Sequence, residues 1–405
     1  MSEWATASIG SLVSASFPGE WGAEPDDAGL NVTVYRAADF NQSGRLTKDS
    51  GVWRRLQPQK LLKVALRPGD ILLEKSGGSP DQPVGRVTLF QGESAPAAAS
   101  NFLQTLRPVD AVDSTFFFYL LQHEYAAGRV MPYQQQTTGL INFRLKDYLK
   151  EAVRYPRSKD DQRNIAVLLS MLDEQIELTA LLIEKSEALR AGVIKDALER
   201  CLGAPREPLA KLATVGSGIT LGRKFAGPGT VDYPYLRVAN VQDGHVDLTE
   251  VKTLRLPQSV AARAMLQPGD VLMNEGGDFD KLGRGAVWSG QITNCLHQNH
   301  VFRVRCNQEL LLPGFLALWA ASEFGKKFFM LASKQSTNLA SINSTQLKKF
   351  PVLRPTLDKQ REVLSTVEAL DGVLSLDRQE LTGLRLLKQG LAQDLLTGQV
   401  RVATQ

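Results

Sequence analysis

The stretch LRAGVIKDAL at 189–198 returns as LKQGLAQDLL at 387–396, and the echo extends well beyond these ten residues. LRPGDILLEKSGG (66–78) returns as LQPGDVLMNEGGD (266–278). TTGLINFRLKDYLKEAVRYP (137–156) returns as STNLASINSTQLKKFPVLRP (336–355), and DQRNIAVLLSMLDEQI (161–176) as KQREVLSTVEALDGVL (359–374). The offset stays between 198 and 200 throughout. So small a drift over 405 residues means duplication of a unit of about 200 residues, and a chain of this length is in any case too long for one ordinary core. Two halves are expected, each a globular block followed by a helix: residues 1–157 and 158–204, then 205–355 and 356–405.

The helices can be sized. Neither 160–200 nor 358–396 contains proline. Apolar residues recur at heptad-like spacing, Ile165, Leu169, Leu172, Ile176 and Ile183 in the first run and Val363, Val367, Leu370, Leu374, Leu381, Leu384, Leu391 and Leu395 in the second. Acidic residues open both runs just past a proline, as the helix dipole favours. Forty residues of helix make a rod on the order of 60 Å. Neither rod can cover its seam alone, and each has a twin in the same chain. An antiparallel pair forming a coiled coil is the economical arrangement, with a globular block at each end.

The blocks read as mixed α and β, so the fold class is α+β with a pseudo-twofold internal repeat. Pro-Gly-Asp marks a tight turn in each half, followed by an apolar run, Ile71-Leu72-Leu73 or Val271-Leu272-Met273, that reads as a short buried strand. Runs such as NVTVYRA, GRVTLF and HVFRVR alternate with Gly, Pro and Asp turns. Helical patches at 114–128 and 312–330 occupy equivalent places.

Charge is uneven along this repeat. Residues 205–355 hold 18 Lys and Arg against 11 Asp and Glu, whereas 158–204 hold 6 against 9 and 356–405 hold 6 against 7. A positive excess confined to one globular block suits a polyanion-binding surface beside neutral scaffolding. Hydrophobic content of 43% with 22% charged residues is globular, and no apolar run approaches membrane-spanning length. A cytoplasmic chain with no membrane association is expected. Three cysteines, an odd count in a large intracellular-looking chain, argue against a disulfide framework.

Catalytic machinery is hard to find. There is no G-x-x-x-x-G-K-[ST] loop for phosphates, no Asn/Asp-Pro-Pro-aromatic segment of the kind that holds a flipped adenine, and no dinucleotide fingerprint after Gly77-Gly78 or Gly276-Gly277. Cys295, His297, His300 and Cys306 have zinc-like composition, but zinc ligands come as two tight pairs around a longer loop, and here Val301–Arg305 reads as a strand. The cluster is expected to be ordinary loop and strand, with His300 bonding to structure or DNA. The matched loops do offer side chains suited to base edges and phosphates. In the first half these are Arg36, Lys75, Ser76, Arg86, Gln135, Thr137 and Thr138; in the second, Arg237, Asn274, Glu275, Lys281, Arg284, His300, Gln335, Ser336 and Asn338. Lys75 and Ser76 read as counterparts of Asn274 and Glu275.

The long-helix segments IAVLLSMLDEQIELTALLIEKSEALRAGVIKDAL and VLSTVEALDGVLSLDRQELTGLRLLKQGLAQDLLTG resemble the specificity subunit of type I restriction-modification systems. So do the PGD-apolar-GG segments, YPYLRVANVQDGHVDL and CLHQNHVFRVR, and the likeness covers essentially the whole chain. It implies a non-catalytic subunit with two target recognition domains, each reading one half of a bipartite double-stranded DNA site. The helices would set the spacing and dock two modification subunits through Leu172, Ile176, Leu189, Leu370, Leu374 and Leu387, with restriction and translocase subunits joining them. It further implies that no cofactor is bound by this chain, S-adenosylmethionine, ATP and Mg belonging to the partners. The halves diverge at GEWGAEPDD and GITLGRKFAG, so they should read different bases. The competing readings are a stand-alone two-domain DNA-binding regulator, a coiled-coil adaptor with no nucleic-acid role, and the recognition subunit of a related motor-less methyltransferase.

Overall fold

The structure, a computed structural model, describes residues 3–26, 30–41, 43–47, 49–93, 95–137, 139–222, 229–277, 282–283, 285–335 and 340–401. Two compact units divide the chain, one made of Met1–Leu181 with Arg378–Gln405, the other of Leu182–Asp377.

In the first unit come β1 (Trp4–Ser8), β2 (Val13–Pro18), β3 (Leu30–Tyr35), β4 (Val52–Leu56), α1 (Pro58–Val64), β5 (Ile71–Glu74), β6 (Ser76–Gly77), β7 (Val87–Leu89), β8 (Ala97–Ala99) and β9 (Leu103–Pro108). After these follow α2 (Ser114–Ala126), β10 (Gln134–Thr137), β11 (Leu140–Phe143), α3 (Leu145–Tyr148), β12 (Ala152–Pro156) and the start of the long α4 (Lys159–Glu199). The second unit continues with β13 (Arg206–Pro208), α5 (Leu209–Leu212), β14 (Ala213–Gly216), β15 (Thr230–Leu236), β16 (Lys252–Pro257), α6 (Gln258–Ala261), β17 (Val271–Asn274), β18 (Gly276–Gly277), β19 (Gly285–Val287), β20 (Leu296–His297) and β21 (Val301–Cys306). It closes with α7 (Pro313–Ala321), α8 (Glu323–Ala332), β22 (Lys334–Gln335), β23 (Ala340–Ser341), α9 (Ser344–Lys348), β24 (Pro351–Leu353) and the long α10 (Leu357–Thr397), whose end returns to the first unit.

The sheets match one for one. Strand order β2-β9-β5-β7 in the first unit corresponds to β14-β21-β17-β19 in the second, β4-β3-β8 to β16-β15-β20, β10-β11-β6 to β22-β23-β18, and β1-β12 to β13-β24. Even the parallel pairings agree, β3 with β8 and β15 with β20.

Strands β5 and β17 form the centre of each core because all four residues of each are buried, the first three an unbroken apolar run rather than an alternation. The Pro-Gly-Asp turn aims them. Gly69 and Gly269 sit at φ +96° and +90°, where a side chain would be strained. The following aspartate then serves two partners at once: Asp70 accepts from the Arg67 amide at 2.8 Å and from the Arg107 guanidinium at 2.7 Å through both carboxylate oxygens. Asp270 repeats this with the Gln267 amide and Arg305. A carboxylate buried here is tolerated because a bidentate cation and a backbone donor satisfy it.

Against β5 the first unit packs α2, whose residues Phe116 to Leu121 are all buried, together with Ile165 and Leu169 of α4 and Leu395 and Leu396 of α10. The second unit packs Phe315, Leu316, Trp319 and Phe329 against Val271 and Met273, with Leu198 and Val363 from the long helices. Each unit therefore contains the beginning of one long helix and the end of the other. The second helical patch is two helices rather than one. Ser322 at φ −64°, ψ 162° leaves helical geometry and its hydroxyl accepts from the Gly325 amide, starting α8 afresh. Gly325 is needed at that corner, since a Cβ there would lie 2.2 Å from the Ala320 carbonyl oxygen. Among the described residues no helix is long and apolar enough to cross a membrane.

Candidate nucleic-acid interface

The end of the buried central strand is where each unit first presents polar side chains. Glu74 and Asn274, last in β5 and β17, are enclosed. Glu74 receives the Arg86 guanidinium at 2.8 Å, and Arg86 also donates to the Ala37 carbonyl at 3.2 Å. Asn274 donates from Nδ2 to the Val241 carbonyl at 3.1 Å. Both residues tie the central strand to the short turn after β3 or β15, at 37–39 and 238–240. Asn274 and Arg86 are thus turned toward the scaffold. Arg36 and Arg237 are held at that same turn, Arg36 on Asp39 at 2.8 Å and Arg237 on Glu250 at 3.3 Å.

The next residue along emerges from the core. Lys75 and Glu275 are therefore the true counterparts, as the offset of 200 between 66–78 and 266–278 sets them, and the pairing of Lys75 and Ser76 with Asn274 and Glu275 is one position out of register. The backbone bonding is the same in both units. Lys75 donates its amide to the Phe102 carbonyl at 2.9 Å and accepts from the Phe143 amide at 2.8 Å; Glu275 donates to the His300 carbonyl at 3.0 Å and accepts from the Ile342 amide at 2.8 Å.

Beside Lys75, the sheet β10-β11-β6 gathers three of the sequence-derived residues, Ser76, Gln135 and Thr137, around Asn142. Ser76 donates to Asn142 Oδ1 at 2.7 Å, Asn142 Nδ2 donates to Thr137 Oγ1 at 3.2 Å, and Gln135 lies exposed opposite Asn142 across the ladder. The Lys75 ammonium has Gln104 Oε1 at 3.5 Å and, among the described residues, no carboxylate within ion-pair distance. Burial lowers its pKa from the usual lysine range. In the second unit the equivalent sheet β18-β23-β22 carries Gln335, and Glu275 Oε2 lies 2.7 Å from His300 Nδ1. Thr138, Lys281, Arg284, Ser336 and Asn338 lie outside the described residues. Phe102, Gln104 and Asn142 were not singled out by sequence; the offset of 198 linking Phe102 to His300 was the available signal.

The Cys/His segment belongs to core and strand. Among the described residues no three His, Cys, Asp or Glu side chains group as metal ligands. Burial pushes the Cys295 and Cys306 thiols up to about 12, opposite to what a thiolate ligand needs. His297 is fully buried, its Nδ1 bonded to the Val301 carbonyl at 2.6 Å and its Nε2 without a partner among the described residues. Burial brings its pKa down to about 4, Arg303 and Arg305 acting the same way and the Val301 carbonyl and Asp270 opposing. The unfolded chain binds this proton below about 6.5 and the folded chain only near 4, so stability should fall as pH drops through that window, by up to about 3 kcal/mol. Denaturant titrations at pH 7 and pH 4.5 should show this loss, and a His297→Asn chain should show a shallower one; equal slopes would refute it.

No protein-family model matches the chain. In sequence it is similar to the putative type I restriction enzyme MjaX specificity subunit of Methanocaldococcus jannaschii, 24% identical over 168 residues, 41% of this chain and 40% of that protein. It is also similar to the type I restriction enzyme EcoKI specificity subunit of Escherichia coli, 28% identical over 142 residues, 35% of this chain and 30% of that one. The matched stretches thus span less than half of either relative. The likeness of fold is far more extensive. A crystal structure of the type I restriction-modification S subunit from M. genitalium superposes with a TM-score of 0.56 at 17% identity, covering 98% of this chain and 96% of that one. The chain has the fold of a type I specificity subunit. A second solved chain, from a study of assembly and conformational transition in a type I restriction-modification system, gives a TM-score of 0.58 at 15% identity with 98% of both chains covered. The specificity-subunit fold therefore extends over the long helices as well as both mixed α/β blocks.

Proposed function

We propose that this chain is the non-catalytic specificity subunit of a type I restriction-modification complex in the cytoplasm. Residues 1–157 and 205–355 act as target recognition domains, each reading half of an asymmetric double-stranded DNA site. Residues 158–204 and 356–405 pair as an antiparallel coiled coil that sets the spacing and docks two modification subunits, which carry S-adenosylmethionine; ATP and Mg belong to the restriction and translocase subunits. The observation that carries this reading is the near-complete fold coverage combined with sheet-for-sheet duplication. Two copies of one partner need two equivalent surfaces, and a single chain supplies them by repeating itself.

The proposed docking face takes the exposed members of the six helix positions. Leu374 is buried and Leu172, Ile176 and Leu370 are half-buried, so they pack inward, whereas Leu189 and Leu387 are 59% and 51% exposed. Leu178 and Leu376, again 198 apart, are exposed as well. Changing Leu189 or Leu387 to Asp should leave folding within about 0.5 kcal/mol, as surface substitutions do. Binding of one modification subunit should weaken by about 2 kcal/mol, roughly thirty-fold, because an unpaired carboxylate would be buried at its contact. Calorimetric titration with the modification subunit tests this, and undiminished affinity in both variants would remove these leucines from the docking face.

The function itself is tested by mapping methylated adenines in cells expressing modification subunits with and without this chain. A bipartite motif that appears only with the chain supports the proposal. Tight, sequence-specific binding by the chain alone, with no effect on methylation, would favour a stand-alone regulator.

A further inference from the structure

Lys75 and Glu275 occupy the same backbone position with opposite charge, and the residue bonded to each through the backbone also differs in kind. Phe102, 41% exposed, stands beside Lys75, and His300 beside Glu275. The segments supplying these neighbours are built alike, with the Leu103 amide on the Ser100 carbonyl and the Val301 amide on the Gln298 carbonyl, both at 2.9 Å. Identical framing means that the two side-chain pairs leave their units from equivalent points. Lysine offers only donors, while a carboxylate offers only acceptors.

We propose that positions 75 and 275 are equivalent base-reading positions of opposite polarity, Lys75 with Phe102 taking an acceptor-bearing base edge in one half-site and Glu275, oriented by His300, taking an exocyclic amino group in the other. This rests on the DNA-reading function proposed above. In the major groove the acceptor edge is that of guanine, with O6 and N7, and the amino donor is on cytosine N4 or adenine N6. Phe102 supplies an apolar surface for a neighbouring thymine methyl. The His300 contact at 2.7 Å restrains the Glu275 carboxylate, so its other oxygen is presented in one orientation. Among the described residues, the Lys75 ammonium has only the long contact to Gln104, whose own Nε2 is anchored to Ser16 Oγ at 2.9 Å.

The test uses the full chain assembled with modification subunits and a pool of duplexes with randomised positions, from which bound sequences are recovered and read. Lys75→Glu should change the preferred base at one position of one half-site and leave the other half-site untouched; Glu275→Lys should do the reverse. Discrimination at the affected position should move roughly ten- to hundred-fold. The near-isosteric Lys75→Gln and Glu275→Gln should relax preference at the same positions, which guards against a folding defect in the charge reversals. If none of the four variants changes the bases selected, whatever happens to affinity, the two positions do not read bases and the inference is overturned. A wild-type assembly that selects no sequence overturns the functional reading itself.

Discussion

Replacing Asp173 by alanine should destabilise the first unit by about 3 kcal/mol, whereas the same change at Asp371 should cost the second unit less than about 1 kcal/mol. The two aspartates are equivalent residues 198 apart, and so are their partners Lys388 and Arg190. Burial separates them. Asp173 is 1% exposed, takes the Lys388 ammonium at 2.5 Å and the Tyr119 hydroxyl at 2.7 Å, and has Arg45 at 3.8 Å. Removing it leaves, among the described residues, only Gln122 Oε1 at 3.4 Å as acceptor for a mostly enclosed ammonium and only Ser170 Oγ at 3.2 Å for a buried phenol, and breaking a buried pair typically costs 3 to 5 kcal/mol, about the lower figure where such contacts remain. Arg190 and Asp371 form a bidentate pair with side chains 32% and 48% exposed, a setting in which ion pairs contribute about 0 to 1 kcal/mol and are screened by salt. Denaturant unfolding of the two variants at low and high salt measures both. Similar losses in the two would mean that burial does not govern this pair.

That asymmetry was invisible in the sequence, where the two ends of the repeat look alike. The repeat itself, the long helices and the central strands were legible because each is written as a local pattern: a constant offset, an apolar period, or an apolar run behind a Pro-Gly-Asp turn. The expected helical runs 160–200 and 358–396 agree with α4 and α10 to within a few residues. Periodicity found the apolar seams but could not say which leucines face inward, since α4 and α10 carry exposed apolar residues too, and Leu374 and Leu387 differ only in what tertiary packing covers. Residue type misled at Asn274 and Arg86. Asparagine and arginine suit base edges, yet Asn274 is buried at the end of the central strand and Arg86 is drawn onto the buried Glu74, and a strand without alternation gives no cue to where it ends. The Asp70–Arg107 and Asp270–Arg305 pairs are non-local, so the sequence showed four repeated residues without showing that they meet.

Gln162 and Gln360 carry the second large expected effect, and they join each long helix to its block. Both are fully buried. The Gln162 oxygen accepts from the Asp113 amide at 2.7 Å, at the cap of α2, while its Nε2 donates to the Pro156 carbonyl at 2.8 Å, at the end of β12. Gln360 repeats this, accepting from the Leu312 amide at 2.8 Å, at the cap of α7, and donating at 3.0 Å to the carbonyls of Pro355 and Leu310. Alanine at either position leaves a buried amide and at least one buried carbonyl without partners, together with a cavity, for a loss of about 3 kcal/mol. Glutamate is the sharper probe because it keeps the volume and the acceptor but loses the donor. Ionised, its carboxylate would face the same carbonyls with no cation beside it, so its folded-state pKa should rise above the unfolded value. The stability of Gln162→Glu should accordingly improve as pH falls from 7.5 toward 5, when the protonated acid can donate again, against the trend expected from His297. Since such a change alters the joint between helix and block rather than the reading surface, it should broaden the spacing between methylated half-sites while leaving the bases of each unchanged. A Gln162→Glu chain that is as stable as the parent at pH 7.5, or whose methylated sites change in base rather than in spacing, would show that the joint does not hold the block in place.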